Sequence, residues 1–311
     1  MIYIDNAEVR RQLVPQTLEQ VLEKAYLAWQ RGEAAMQPRF RTEVDGFRLV
    51  SMGAVIPALG YAGSKIYTSY KGKLCFRVVL FSTKTGEALA TLESDELTPI
   101  RTAASSVLVA RRYADPQTPT LGVFGLGPLG LEHIRQFLAA FPIRNVYVCD
   151  PYLSTETVKQ ALAALPVLVE HVSAQEAASK SQIIVTATRS LKPVFESDHV
   201  QAGSFVAAIG SCLAHTQEID AKLIQRAAKV VVEWPEQTLQ DTGDLALFPD
   251  QERLVPKLEA LADTIQKPVA KGRRDDIIVY KAVGIALADI AAAALVLQQR
   301  GREEHGHSTD R

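Results

Sequence analysis

The chain has 311 residues, 47% hydrophobic and 22% charged, a composition that excludes a fibrous or disordered protein and, at roughly 150 residues per domain, suits about two domains. Its 34 basic and 35 acidic residues leave a net charge of -1, so no overall positive field draws it to nucleic acid or to an anionic membrane. An enzyme acting on a small molecule is the class left standing.

The longest uninterrupted apolar run, residues 290–297, falls far short of the ~20 residues a bilayer span needs. The opening MIYIDNAEVRR lacks the basic-then-apolar order of a signal peptide, so a cytoplasmic protein with no membrane partner is expected. Cys75, Cys149 and Cys212 are scattered and make no C-x-x-C pair, and the six histidines form no ligand cluster. Neither a disulfide nor a metal site is expected.

Over 6–32, Val9, Leu13, Leu18, Val21, Leu22, Ala25, Tyr26 and Trp29 recur at helical spacing with an interruption near Pro15, which predicts a helix or a helix pair. Residues 47–92 change character. Short β-rich runs separated by Gly and Lys, with T-K-T-G-E at 83–87 as the plainest hairpin turn, predict an antiparallel or mixed sheet. Residues 98–114 are rich in Ala and Val and read as a helix opened by polar residues suited to its N-cap.

From residue 120 the pattern alternates. The apolar runs TLGVF, NVYVC, VLVEHV, SQIIVTAT, SFVAAIG and KVVVEW, joined by helical stretches, indicate βαβ units and a parallel sheet covered on both faces. The fold class is α/β, a Rossmann-type doubly wound domain over 113–282. Within it, 237–276 is of mixed character. Residues 277–300 read as one long Ala-rich helix, and the polar tail 301–311 reads as disordered.

Gly125-Leu126-Gly127-Pro128-Leu129-Gly130 follows one of these strands directly and opens a helix, the context a dinucleotide fingerprint requires. Gly125 permits the tight turn, Gly127 lets the backbone approach a pyrophosphate, and Gly130 allows helix to pack on strand; the helix start attracts the anion. Asp150 ends the next strand. A carboxylate there accepts from the adenosine ribose hydroxyls and repels a 2′-phosphate, and Pro151 and Tyr152 offer no arginine for one. NAD(H) is therefore favoured, with NADP(H) possible.

Several segments in order resemble the ornithine cyclodeaminase / mu-crystallin family, which includes cyclodeaminases, ketimine reductases, and alanine or arginine dehydrogenases. They are Gln37-Pro38-Arg39, 60–65 (GYAGSK), 97–104 (LTPIRTAA), the glycine loop, Thr186-Ala187-Thr188, Gly210-Ser211-Cys212 with 218–220 (EID), Gly243-Asp244, and 280–284 (YKAVG) with Asp289. The resemblance implies a homodimer whose subunit has a substrate and dimerisation domain of α+β type, built from 1–112 and 283–311, beside the Rossmann domain. It implies that Arg39, Lys65 and Arg101 hold a substrate carboxylate. Two guanidinium groups suit bidentate binding, and a lysine beside them has a lowered pKa fit for acid–base work, which makes Lys65 and Arg101 the expected catalytic pair.

Arg41, two residues from Arg39, would point to the same face of an extended segment and could exchange roles with it. Thr102 either serves the cofactor phosphate at its helix start or is an N-cap. Thr186 and Thr188, flanking Ala187, end a parallel strand where ligand binds, although β-propensity also explains threonine there. Ser211 and Val283 complete the expected cofactor contacts, the latter near the nicotinamide. Asp289 lies in an otherwise apolar, alanine-rich helix, where an unpaired carboxylate would be costly, so it is expected to cap, to pair with a basic residue or to reach the active site.

The sequence departs from the cyclodeaminases at one place. Two residues past the glycine of the Ile-Gly strand end, those enzymes carry an aspartate that serves ring closure; here the residue is Cys212, mostly neutral at pH 7. The expectation moves to an NAD(P)-dependent oxidoreductase acting on the α-carbon of a small 2-imino or 2-amino acid. An ornithine cyclodeaminase and a non-catalytic crystallin-like binding protein are the alternatives. Cys212 and His215 are candidate substrate contacts, weighed against a small structural cysteine and an ordinary loop histidine.

Overall fold

The structure, a computed structural model, describes residues 1–267 and 275–306, and the chain divides into two units: Met1–Ser105 with Gly284–Arg311, and Ser106–Val283. The first unit begins with β1 (Ile2–Ile4), α1 (Asn6–Gln12) and α2 (Pro15–Gln30). Asp5 caps α1 by accepting from the Glu8 N–H, and Pro15 starts α2, where a missing N–H loses no helical bond. The expected helix pair is present, and Leu18, Leu22, Ala25 and Tyr26 bury its apolar stripe.

Then come β2 (Ala35–Met36), β3 (Phe40–Val44), β4 (Phe47–Ile56), β5 (Tyr61–Tyr70), β6 (Lys73–Ser82) and β7 (Ala88–Glu93). They form a mixed sheet of order β1-β7-β6-β5-β4-β2, with β3 also on β4; β1 runs parallel to β7 and the other pairs are antiparallel. The sheet turns on two two-residue loops, Asp45-Gly46 and Lys71-Gly72. All four residues have positive φ (50°, 72°, 48° and 77°), the I′ geometry that matches strand twist. The inner face carries Val50, Met52, Ala54 and Ile56 of β4 and Val78 and Leu80 of β6, all buried.

The helix α3 (Leu97–Tyr113) contributes to both units, the division falling between Ser105 and Ser106, whereas the sequence reading put it at the helix's end, 112/113. The second unit continues with β8 (Thr120–Phe124), α4 (Pro128–Ala140), β9 (Asn145–Cys149), α5 (Thr155–Leu162), β10 (Leu168–His171), α6 (Ala174–Lys180), β11 (Ile183–Thr186), β12 (Phe205–Ala208), α7 (Ala221–Arg226) and β13 (Lys229–Val232). Short elements follow: α8 (Pro235–Asp241), α9 (Gly243–Ala246), α10 (Gln251–Leu254), β14 (Leu258–Ala260), α11 (Leu261–Gln266) and β15 (Ile278–Lys281). They account for most of the stretch read as mixed, of which 268–274 lie outside the described residues.

The eight strands β8 to β15 make one parallel sheet, ordered β10-β9-β8-β11-β12-β15-β13-β14. The chain winds outward from β8 through β9 and β10, then returns to place β11 on the other side of β8. At such a switch point the carboxyl ends of the strands open a ligand crevice. This is the doubly wound domain expected.

One expectation fails. Residues 277–300 are not a single helix: β15 takes 278–281 in the sheet interior, between β12 and β13, and α12 (Ala286–Gly306) starts only after Gly284, whose φ of +80° breaks a helix. Ile277, Ile278, Val279 and Tyr280 are β-branched or aromatic, and periodicity alone does not separate so short an apolar run from a buried helix. α12 also takes in 301–306 of the tail expected to be disordered; 307–311 lie outside the described residues. In the first unit α12 packs across β4, β5, β6 and α2, with 286–296 buried all round.

Candidate active site

In the first unit, β5 alternates between an outer and an inner face, and Lys65 takes an inner position opposite Met52 of β4 and Val78 of β6. It is 1% exposed. A buried ammonium needs acceptors, and Lys65 Nζ donates to Asp289 Oδ1 at 2.9 Å and to Thr98 Oγ1 at 2.8 Å, and lies 4.9 Å from the centre of the Phe76 ring. Asp289 projects from α12 and is fully buried; its Oδ1 also accepts from Arg101 Nε of α3 at 2.9 Å. Its Oδ2 is buried and has no hydrogen-bond partner among the described residues.

Arg39, just before β3, donates from Nη2 to the Gly284 carbonyl oxygen at 2.7 Å. Gly284 also lies against Arg101: a Cβ there would come 2.8 Å from Arg101 Nη2, which would have to move, and 3.4 Å from Arg39 Nη2. Three cations thus gather around one carboxylate, an excess of positive charge that suits an added anion.

The electrostatics follow from burial. Desolvation lowers the Lys65 pKa to about 8, Arg101 and Arg39 push the same way, and Asp289 opposes them. The sequence reading had the direction but credited the guanidinium groups alone. Burial raises the Asp289 pKa, yet Arg101 and Lys65 outweigh it and hold the carboxyl below its ordinary range.

In the second unit the glycine loop follows β8 as read. Gly125 has φ +88°, a Cβ on Gly130 would strike the Gly125 carbonyl oxygen, and a Cβ on Gly127 would meet nothing within 4 Å. No side chain caps the start of α4, where Gly127 precedes Pro128 and Leu129. Asp150, at the end of β9, accepts from the Leu126 N–H at 2.9 Å through Oδ2 and from the Tyr152 N–H at 3.0 Å through Oδ1. An open glycine at an uncapped helix start, braced by a strand-end carboxylate, fits the pyrophosphate and ribose of a dinucleotide.

The other candidates are more mixed. Thr102 lies in the second turn of α3, not at its start, and its hydroxyl donates to the Thr98 carbonyl at 2.7 Å, which corrects the N-cap reading of it. Arg41 is exposed on β3 opposite Val50, one pleat away from the Met52–Lys65 row. Thr186 ends β11 with a buried hydroxyl that has no hydrogen-bond partner among the described residues. Ala187 and Thr188 follow it, and both the N–H and the hydroxyl of Thr188 donate to Glu218. Ser211 is buried, its hydroxyl meeting Thr216 and Thr242; Cys212 is partly buried and His215 exposed. The Val283 N–H donates to Glu233 Oε2 at 3.0 Å.

The Ornithine cyclodeaminase/mu-crystallin family model matches residues 3–304. The chain belongs to that family. A Delta(1)-pyrroline-2-carboxylate reductase of Bacillus cereus (strain ZK / E33L) is 34% identical over 233 residues, 71% of this chain and 70% of the relative. A solved structure described as a probable ornithine cyclodeaminase from Bordetella pertussis Tohama I is 41% identical, covers 97% of this chain and 98% of its own, and superposes with a TM-score of 0.94. The Delta(1)-pyrroline-2-carboxylate reductase of Thermococcus litoralis, solved with NADH and L-proline, is 22% identical with a TM-score of 0.88 over 98% of each chain, a likeness of fold. Asp289 meets two basic residues, one of the outcomes expected of a lone carboxylate in α12. Its signal was legible: it is the one charge in 286–296 of an apolar helix.

Proposed function

We propose that this family member is an NAD(P)H-dependent oxidoreductase that transfers hydride to or from the α-carbon of a small 2-imino or 2-amino acid, as an imine reductase or an amino-acid dehydrogenase. The observation that carries the reading is the buried Lys65–Asp289–Arg101 cluster with Arg39 beside Gly284. Arg39 and Arg101 take the substrate carboxylate, and Lys65 holds at Nζ the proton that the imine nitrogen gains on reduction. The dinucleotide, when bound, supplies the hydride; Gly125, Gly127 and Gly130 with Asp150 hold its adenosine and pyrophosphate half, and the Asp150 carboxylate favours NAD(H) over NADP(H). The B. cereus relative's name agrees with this chemistry.

The B. pertussis relative's description favours a second reading, cyclodeamination, against which Cys212 stands. A panel of cyclic imines, iminosuccinate, and 2-oxo acids with ammonia or methylamine, each with NADH or NADPH, separates the two by absorbance at 340 nm. Imine-dependent nucleotide oxidation is expected; ornithine converted to proline and ammonia with no net nucleotide consumed would sink the proposal. Gly130→Ala, which forces a Cβ into the Gly125 carbonyl, is expected to weaken NADH binding at least tenfold by calorimetry, with little change in far-UV circular dichroism.

The chain works as a homodimer that buries the outer face of the first unit's sheet. Register puts Phe40, Leu49, Val55, Ile66 and Phe81 on that face, and all are 37% or more exposed, an apolar patch that a lone subunit in water rarely keeps. Sedimentation velocity is expected to report a dimer, and Val55→Glu with Ile66→Glu a folded monomer. A wild-type monomer at micromolar concentration contradicts the assignment.

Among the described residues no helix is long and apolar enough to cross a membrane, and no group of His, Cys, Asp and Glu could hold a metal ion.

A further inference from the structure

The carboxyl edge of the parallel sheet is held by one buried carboxylate that the chemistry above does not use. Glu218 lies in the segment between β12 and α7 and is 0% exposed. Its Oε1 accepts from the Thr188 N–H at 2.6 Å and the Thr188 hydroxyl at 2.7 Å, and its Oε2 from the N–H groups of Gly210 at 2.6 Å and Ser211 at 3.1 Å. One side chain thereby ties the loop leaving β11 to the loop leaving β12. Glycine at 210 is obligatory for this closeness: a Cβ there would strike both the Thr188 backbone and the Glu218 carboxylate.

Glu218 is itself held from behind. Asp244 Oδ1 accepts from the N–H groups of Glu218 at 2.7 Å and Ile219 at 3.0 Å, and Asp244 Oδ2 pairs with Lys281 Nζ at 2.9 Å. Lys281, the last residue of β15, also donates to the Ser211 carbonyl at 2.8 Å, so β15 braces the same loop from its other neighbour strand. Buried charges in so complete a network fix geometry strongly, because each donor would be left orphaned if the loops moved. Beside the network, the buried Thr186 hydroxyl has no hydrogen-bond partner among the described residues.

These loops follow β11 and β12, on the far side of the switch point from β9 and Asp150, where a doubly wound sheet receives the second half of a dinucleotide. We propose that Glu218 is a positioning residue that shapes the cradle for the nicotinamide half of the cofactor, with Asp244 and Lys281 as its support. The inference rests on the dinucleotide reading and is independent of which imino acid is reduced.

The test compares NADH with ADP, which carries the adenosine and pyrophosphate but no nicotinamide, by calorimetry on full-length protein. Glu218→Gln leaves one carbonyl oxygen where the carboxylate had two and turns an amide N–H toward donors. It is expected to raise the Kd for NADH at least tenfold and to leave that for ADP within twofold. Thr188→Ala, which removes only one of the four donors and cannot disturb folding as much, is expected to weaken NADH by a few-fold with the same sparing of ADP. Equal losses for both nucleotides would assign Glu218 a general structural role, and no loss for either would remove it from the cradle; each result overturns the proposal. A wild-type protein that binds ADP and NADH not at all would instead overturn the dinucleotide reading beneath it.

Discussion

Asp289→Ala is expected to be the most destabilising single substitution in the first unit's site, lowering stability by about 3–5 kcal/mol, since removing one partner of a buried ion pair leaves the other charge uncompensated. Here it leaves two: Lys65, 1% exposed, and Arg101, 4% exposed, both bonded to the same carboxylate oxygen. At about 2–4 °C per kcal/mol the melting temperature should fall by roughly 6–20 °C. Asp289→Asn keeps an acceptor and the volume and is expected to lose less. Melting unchanged in both variants would mean that the carboxylate does not hold the two cations together.

Lys65→Met should cost less stability than Asp289→Ala. It removes one of the two cations bonded to Asp289 Oδ1, which keeps Arg101, and puts an apolar side chain of similar volume on an inner sheet face lined by Met52 and Val78, so the melting temperature should fall less than in Asp289→Ala. Activity on an imino acid should fall by about 10³-fold in kcat/KM, because the group proposed to hold the proton is gone. If Lys65 supplies the proton as proposed, kcat/KM for imine reduction should decline as pH rises through about 8. Stability should move the other way. The folded pKa of about 8 lies below the ordinary 10.5, the unfolded chain holds the extra proton between these values, and stability therefore rises with pH across that window. A rate profile flat from pH 7 to 10, or a Lys65→Met enzyme of near wild-type activity, refutes the assignment of the proton to Lys65.

Much of the architecture was legible because it rests on local patterns: alternation of apolar strands and helices gave the doubly wound sheet, and the glycine spacing gave the loop after β8. What failed were features decided by tertiary partners. Ile278–Lys281 is short and apolar and so reads as part of the following helix, and only its place between β12 and β13 makes it a strand. Asp45-Gly46 carries the strong local signal of an Asp-Gly turn, whereas Lys71-Gly72 offers only its glycine. Lys65, Arg101 and Arg39 came from family resemblance, whereas Thr98 and Gly284 join them only through the way β5, α3 and α12 converge. Period-two reasoning could not part Arg39 from Arg41; the structure does so by exposing Arg41 on β3. Glu218, Asp244 and Lys281 lie in three of the segments that carry the family resemblance, but nothing local to any one of them says that they meet.

The I′ turn at Lys71-Gly72 sets a parity rule for the strand that carries Lys65. Counting back from Tyr70, paired with Lys73 beside the turn, every second residue faces the same way, and Lys65 falls in the inward set while Ile66 falls in the outward one. A single residue inserted between Lys65 and the turn would exchange the two sets on one side of the insertion, turning an ammonium out to the open face and an isoleucine in toward Asp289. Two inserted residues would keep the alternation. Lengths along β5 are thus constrained as odd or even: an odd insertion turns Lys65 to the open face, whereas an even one keeps it facing inward but slides it along the sheet, away from its place opposite Met52.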